Sequence, residues 1–105
     1  MIRIPGTAVL AAVILQISGT AASAGVIGDA CLASERSQGN RALCACIQQA
    51  ADMTLDRADQ RRAARFFSDP HQAQEVRMSR SDADNAFWAR YRSFGEAAEA
   101  LCARS

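Results

Sequence analysis

The chain has 105 residues, a formal net charge of +1 and four cysteines. Near-neutral charge argues against nucleic-acid binding, which requires an excess of basic residues on one face. A chain of this length buries too little surface to support more than one domain. We therefore expect a single small domain without a nucleic-acid partner.

The N-terminal segment has the three parts of a secretory signal peptide. Arg3 forms a short positive region, residues 7–17 form an apolar run, and residues 22–24 are an Ala-Ser-Ala cleavage site. The apolar run is too short for a bilayer, which needs about 20 residues. We predict that residues 1–24 are removed and that the remaining chain has no stable membrane insertion. The mature protein, residues 25–105, is expected to be one helical domain that is periplasmic or secreted.

The composition of the mature chain favours an all-α fold. It is rich in Ala, Arg, Gln, Glu and Leu, which are strong helix formers. No stretch alternates between apolar and polar residues as a strand does. We predict a small bundle of four to five short helices held by two disulfides. The predicted helices are residues 27–36, 41–53, 54–67, 70–78 and a last, longest helix from residue 82 to about residue 101.

Residues that commonly cap helices set these boundaries. Gly39 can adopt the left-handed conformation that follows a helix, and Asn40 and Ser81 are expected to cap the helices that follow them. Residues 69–72 read as a capping box, in which the Asp69 side chain caps and a proline occupies the first helical position.

Apolar residues at helical spacing predict the core. On the second helix and at its end, the expected inward residues are Leu43, Ile47, Ala50 and Thr54. On the third they are Ala63, Phe66 and Phe67. On the last they are Phe87, Tyr91, Phe94, Ala98 and Leu101, with Trp88 on the flank. The alternative is that the aromatic residues line a small groove.

The four cysteines are expected to form two disulfides. Cys44 and Cys46 lie about 200° apart around a helix, so they cannot bond to each other. Two pairings remain open: Cys31–Cys46 with Cys44–Cys102, or Cys31–Cys44 with Cys46–Cys102. A hairpin of the first two helices about residues 38–39 slightly favours the first pairing. The competing interpretation is a thiol site or copper(I) site on the C-x-C motif, which requires reduced thiols.

Few other residues suggest chemistry. Arg57, Arg61, Arg62 and Arg65 read either as a solvated face with intrahelical ion pairs or as contacts for an acidic ligand. His71, the single histidine, is expected to be exposed. The sequence has no nucleophile elbow, P-loop, zinc signature or EF-hand loop. We predict no catalytic residues, no metal and no cofactor.

Two long segments resemble a group of small exported alphaproteobacterial proteins. They are LCACIQQAADMTLDRADQRRAARFFSDPHQAQEVRMS (residues 43–79) and AFWARYRSFGEAAEALC (residues 86–102). Some members are labelled arginine transporters, which implies an exported protein with an accessory or binding part in amino-acid transport. The expected function is therefore a non-enzymatic binding or interaction protein with a protein or small-molecule partner. The alternative is a thiol- or copper-handling protein.

Overall fold

A computed structural model describes residues 25–104, so the predicted signal peptide lies outside the described residues. This part of the chain is all-helical and has no strand, which confirms the predicted fold class. Its elements are α1 (Val26–Ala33), a 3₁₀ turn (Glu35–Ser37), α2 (Arg41–Thr54), α3 (Arg57–Ser68), α4 (Pro70–Arg77) and α5 (Asp82–Cys102).

The bundle is organised around the pairing of α2 with α5. Helix α1 packs against both α2 and α3, and α4 connects α3 with α5. The aromatic ring of Phe66 lies at the centre, with its centroid 6.0 Å from Phe87 and 5.2 Å from Tyr91, both in edge-to-face geometry. Such pairs add to the stabilisation that burial of the rings provides. Ile27, Ala51, Phe94 and their buried neighbours complete one continuous core.

The apolar stripe of α5 is buried over most of its predicted length. Phe87 and Phe94 are buried, and Tyr91 and Ala98 are half-buried. The prediction is wrong for Leu101, whose side chain is 49% exposed. The next residue, Cys102, faces α2 because it is bonded there. Since successive helical residues are about 100° apart, Leu101 points away from the core.

Two helix boundaries differ by three residues from the predicted ones, and the others agree to within one residue. Helix α1 ends at Ala33, three residues early, because Ser34 begins the 3₁₀ turn and its hydroxyl accepts a hydrogen bond from the backbone N–H of Arg36. Helix α3 begins only at Arg57, because the Asp56 carboxylate caps it by accepting the Asp59 N–H at 2.8 Å.

Two of the three predicted N-caps are confirmed. The Asn40 side chain accepts the Leu43 N–H at 2.9 Å, and the Ser81 hydroxyl accepts the Asp84 N–H at 3.0 Å. The predicted capping box at Asp69 is wrong, since this side chain accepts no backbone N–H. Its carboxylate instead accepts the side-chain amide of Gln72 at 3.1 Å.

Both cysteines of the C-x-C motif are bonded, each to a different partner. The bridges are Cys31–Cys44 and Cys46–Cys102, with Cα atoms 5.5 Å and 5.8 Å apart. The slightly favoured alternative pairing is therefore wrong. Because α1 ends at Ala33 and α2 begins at Arg41, the connection between them comprises residues 34–40 and is centred on residue 37 instead of on residues 38–39. This shift brings Cys31 level with Cys44.

We expect the two bridges to stabilise the domain unequally. The Cys46–Cys102 bridge spans 56 residues and the Cys31–Cys44 bridge spans 13. In the chain-entropy description, removal of the longer-range bridge lowers the free energy of unfolding by about 4 kcal/mol, and removal of the shorter-range bridge lowers it by about 3 kcal/mol. Denaturant unfolding of the two double variants, Cys46→Ala/Cys102→Ala and Cys31→Ala/Cys44→Ala, measures the difference. Non-reducing peptide mapping that joins Cys31 to Cys46 would contradict the pairing.

A buried amide network joins α1, α2 and α3. The Gln48 carbonyl oxygen accepts the Gly28 N–H at 2.7 Å, and its NH₂ group donates to Gln60 at 2.9 Å and to Asp52 at 2.8 Å. The Gln60 amide also donates to the Leu55 carbonyl at 3.1 Å. Gln48 thereby satisfies one of the N–H groups that the first turn of a helix leaves unpaired.

The contact between Gln48 and α1 also requires glycine at position 25. A Cβ atom there would lie 2.2 Å from the Gln48 side-chain amide carbon. Gly25 precedes α1 as its N-cap but has no side chain to cap it. The amide of Gln48, from another helix, occupies the space where a capping side chain would lie.

We expect Gln48→Met to destabilise the domain by about 1–3 kcal/mol, because the buried Gly28 N–H and the Gln60 amide lose their partners while the side-chain volume is kept. Chemical unfolding measures the change. Gln49→Met is the matched control, since the neighbouring side chain is exposed. Equal stability of the two variants would show that the network contributes nothing.

Candidate functional site

A cleft of about 180 Å³ opens beside the 3₁₀ turn, where all elements except α4 converge. We call it the aromatic cleft. Most of its wall is apolar, and its polar groups lie on the turn and on α5. It is lined by Cys31, Ser34, Arg36, Ser37, Leu43, Ile47, Phe66, Phe67 and Tyr91.

The apolar wall comes from α2 and α3. Leu43 and Ile47 are one helical turn apart on α2, and both are half-buried although their spacing predicted a core position. Phe67 is half-buried beside the buried Phe66. The aromatic residues therefore divide between the two predicted roles: Phe87 and Phe94 are core, whereas Phe66, Phe67 and Tyr91 also line a cleft.

Hydrogen bonds hold the 3₁₀ turn in one conformation. The Ser37 hydroxyl donates to the Ser34 carbonyl at 3.0 Å and accepts the Gly39 N–H at 3.2 Å. Gln38 and Gly39 both have positive φ, 51° and 73°, which closes the turn before α2. The Cys31–Cys44 bridge joins the two helices that flank the turn. These contacts fix the position from which Arg36 reaches the cleft.

Tyr91 is the titratable group most affected by this environment. Burial raises the pKa of the Tyr91 hydroxyl above its ordinary value, because the phenolate loses hydration. The positive charge of Arg36 acts in the opposite direction and lowers this pKa. The guanidinium and the phenol are therefore electrostatically coupled across the cleft.

We expect Tyr91, the single tyrosine, to titrate above about 10, the ordinary pKa of tyrosine. Because the fold favours the neutral phenol, its contribution to stability is present below this ordinary pKa and is lost as the pH rises through the higher pKa of the folded state. Arg36→Gln should raise the pKa of Tyr91 further, by removing the opposing charge. Ultraviolet absorbance of the phenolate follows the titration.

Arg41→Gln is the control for this titration, since Arg41 is exposed and does not line the cleft. Protein unfolded in denaturant should titrate at the ordinary value. An unchanged Tyr91 titration in Arg36→Gln would contradict the coupling.

The four arginines predicted to contact an acidic ligand do not share one site. Arg57 and Arg61 line a polar cleft with Gln48, Asp52 and Gln60. Arg62 and Arg65 line a separate, open depression between α3, α4 and α5, which also contains the carboxylates of Asp69, Glu75 and Asp84. In this depression three carboxylates accompany two arginines, and Arg62 is paired with Asp84, so an acidic ligand is less favoured there than beside Arg57 and Arg61.

In the described residues, both ion pairs of α3 connect it to α5. The intrahelical ion pairs that the sequence suggested for this helix are not observed there. Arg62 donates to Asp84 of α5 at 2.6 Å, and its guanidinium carbon lies 4.6 Å from the centre of the Phe87 ring. Hydrogen bonds from Ser79 and from Arg62 lower the pKa of Asp84. Arg90 of α5 donates to Asp59 at 2.5 Å and 3.1 Å.

The C-x-C motif presents no free sulfur, since each of the four cysteines is in a disulfide. Within residues 25–104, no three His, Cys, Asp or Glu side chains are grouped as metal ligands would be. His71 is exposed at the first turn of α4, as predicted.

Sequence reasoning missed the polar side of the aromatic cleft. Ser34, Arg36 and Ser37 fall in a segment that the sequence predicts as the end of the first helix and the following loop. The sequence does contain one pattern that indicates this turn. Two serines three residues apart before Gln38 and Gly39 are typical of a hydrogen-bonded turn. The position of Arg36 at the cleft depends on the turn itself and on the Cys31–Cys44 pairing.

No family model matches the chain, and no curated protein or solved structure is significantly similar to it. None of the helices within residues 25–104 combines the length and the hydropathy that a bilayer-spanning segment requires.

Proposed function

We propose that this protein is a non-enzymatic binding protein of an oxidising compartment, periplasmic or extracellular, and that it holds a small ligand in the aromatic cleft. The observation that carries the proposal is the cleft itself. It is mostly apolar and lies beside polar groups at fixed positions, which is the usual composition of a ligand site. The two disulfides are compatible with such a compartment.

The fixed wall of the aromatic cleft and the residues that line it also support binding rather than catalysis. A binding cleft needs fixed walls, and the Cys31–Cys44 bridge and the Ser37 hydrogen bonds fix one side of this cleft. Tyr91 and Arg36 could orient a ligand, and the residues that line the cleft include no histidine, carboxylate or free thiol that would activate a serine hydroxyl for catalysis. The bound molecule would therefore leave the cleft unchanged.

An accessory role in arginine transport, which the resemblance implies, needs a different surface. Free arginine carries two positive groups, and the aromatic cleft offers the like charge of Arg36 and no carboxylate. The open depression that contains Asp69, Glu75 and Asp84 has the charge that a cationic amino acid requires. We therefore include free arginine among the ligands tested.

The copper- or thiol-handling alternative has less support. Copper(I) binds thiolates, and the sulfurs of Cys44 and Cys46 are bonded to different partners. This function would first require reduction of both bridges. Counting the free thiols of the unreduced exported protein separates the alternatives, with none expected for the binding protein.

The binding test uses isotope-labelled protein purified from the exported fraction, whose intact mass should correspond to a chain beginning at Gly25. Phenylacetamide, a neutral aromatic amide of about ten non-hydrogen atoms, is the probe. We expect saturable changes of backbone amide shifts at Leu43, Ile47 and Tyr91, with a Kd of about 0.1–10 mM for a ligand of this size. Free arginine should leave these amide shifts unchanged.

A pair of matched variants localises the binding. Leu43→Phe places a larger side chain inside the cleft and should weaken binding at least about tenfold, which corresponds to the loss of about 1.4 kcal/mol. Leu101→Phe makes the same change at an exposed position outside the cleft and should bind as the parent does. The proposal fails if the parent shows no saturable binding of any small aromatic ligand, or if both variants bind phenylacetamide equally.

A further inference from the structure

The size of the aromatic cleft limits the part of a ligand that it can enclose. Its volume of about 180 Å³ is close to that of an engineered apolar cavity of about 150 Å³ that binds benzene. The walls that Ile47, Phe66 and Phe67 provide are apolar. A single aromatic ring or a short branched aliphatic group therefore fits this space, and a larger body does not.

The charge of the cleft limits the polar group of that ligand. Arg36 is the one charged residue among those that line it, so the cleft has a positive charge and no carboxylate to balance it. Within residues 25–104, no acidic side chain forms a salt bridge with Arg36. By contrast, Arg62 and Arg90 are both paired with aspartates. The guanidinium of Arg36 is thus available to an anion from outside.

The turn holds Arg36 at the rim by its backbone. The Arg36 N–H donates to the Ser34 hydroxyl at 3.2 Å, and the buried Ser37 bonds back to the Ser34 carbonyl. A fixed backbone leaves only the side-chain torsions of Arg36 to be ordered when a ligand binds. The planar guanidinium can then donate two parallel hydrogen bonds to a carboxylate.

One guanidinium balances one negative charge, so a monoanion matches the cleft better than a phosphate dianion does. We propose that the aromatic cleft selects monocarboxylates whose apolar part is one ring or a short branched chain, and that Arg36 binds the carboxylate. This inference rests on the proposed binding function and names its ligand class. The carboxylate can belong to a free acid or to the C-terminus of a peptide that ends in an apolar residue.

The test compares three ligands of nearly equal shape at neutral pH: phenylacetate, phenylacetamide and phenethylamine. We expect phenylacetate to bind at least about tenfold more tightly than the amide, in line with one charge-assisted bidentate contact. Phenethylamine, a cation, should bind more weakly than both. Added salt should reduce the preference for phenylacetate, because the ion pair lies at an open rim.

Arg36→Gln should reduce the ratio of phenylacetate to phenylacetamide affinity to about one, because glutamine can donate a hydrogen bond to either ligand but carries no charge. Arg41→Gln, an exposed arginine outside the cleft, should keep the parent ratio. Binding of phenylacetamide also shows whether each variant retains a folded cleft.

The outcomes separate this inference from the proposed function. Equal binding of phenylacetate and phenylacetamide to the parent, or a full anion preference in Arg36→Gln, overturns the carboxylate proposal and leaves the binding cleft intact. No saturable binding of any of the three ligands overturns both. N-acetyl-glycyl-phenylalanine and its C-terminal amide identify the source: preference for the acid supports a peptide C-terminus, and binding of phenylacetate alone supports a free acid.

Discussion

Helix α2 is held from two nearly opposite sides by covalent bonds, and the rest of the domain is arranged around this constraint. Cys44 and Cys46 are two residues apart, so their side chains leave the helix about 200° apart. One bridge ties α2 to the N-terminal helix and the other ties it to the C-terminal end of α5. In a domain whose small core gives marginal stability, covalent links of this kind compensate for limited burial.

Noncovalent contacts position the part of the bundle that the two disulfides do not reach. Helix α3 has no cysteine, and it is positioned by the Gln48–Gln60 amide contact on one side and by Asp59 and Arg62 paired with α5 on the other. The Phe66 ring of α3 adds edge-to-face contacts with Phe87 and Tyr91 of α5. A buried amide pair is tolerated here because its donors and acceptors find partners, which avoids the cost of an unpaired polar group.

The sequence predicted the features that depend on local patterns. The five helices, the caps at Asn40 and Ser81, and the separation of Cys44 from Cys46 follow from residue type and helical period. The pairing of Cys31 did not, because a small shift in the centre of the connection between α1 and α2 decides between two partners. The predicted capping box at Asp69 failed since the local pattern does not reveal that Gln72 binds the carboxylate by its side chain.

The aromatic cleft could be predicted only in part, for a related reason. Helical period identified Leu43, Ile47 and Tyr91 as inward-facing residues, and inward-facing residues line either a core or a cleft. The difference depends on how far the neighbouring segment fills the space. Here that segment is the 3₁₀ turn, whose Ser37 is buried while Arg36 stays exposed. Long-range packing of a short polar turn has no periodic signature in sequence.

The order of the cysteines along the chain has a consequence for oxidative folding. The native bridges join the first cysteine to the second and the third to the fourth, so neither loop encloses the other. A chain that becomes available from its N-terminus meets the correct partner for Cys31 first. If Cys31 bonds to Cys46 instead, the thiol of Cys44 lies two residues away and can attack that bond directly. The most accessible error is thus one intramolecular exchange from the native arrangement, and the proximity of the two cysteines allows the chain to correct its own oxidation.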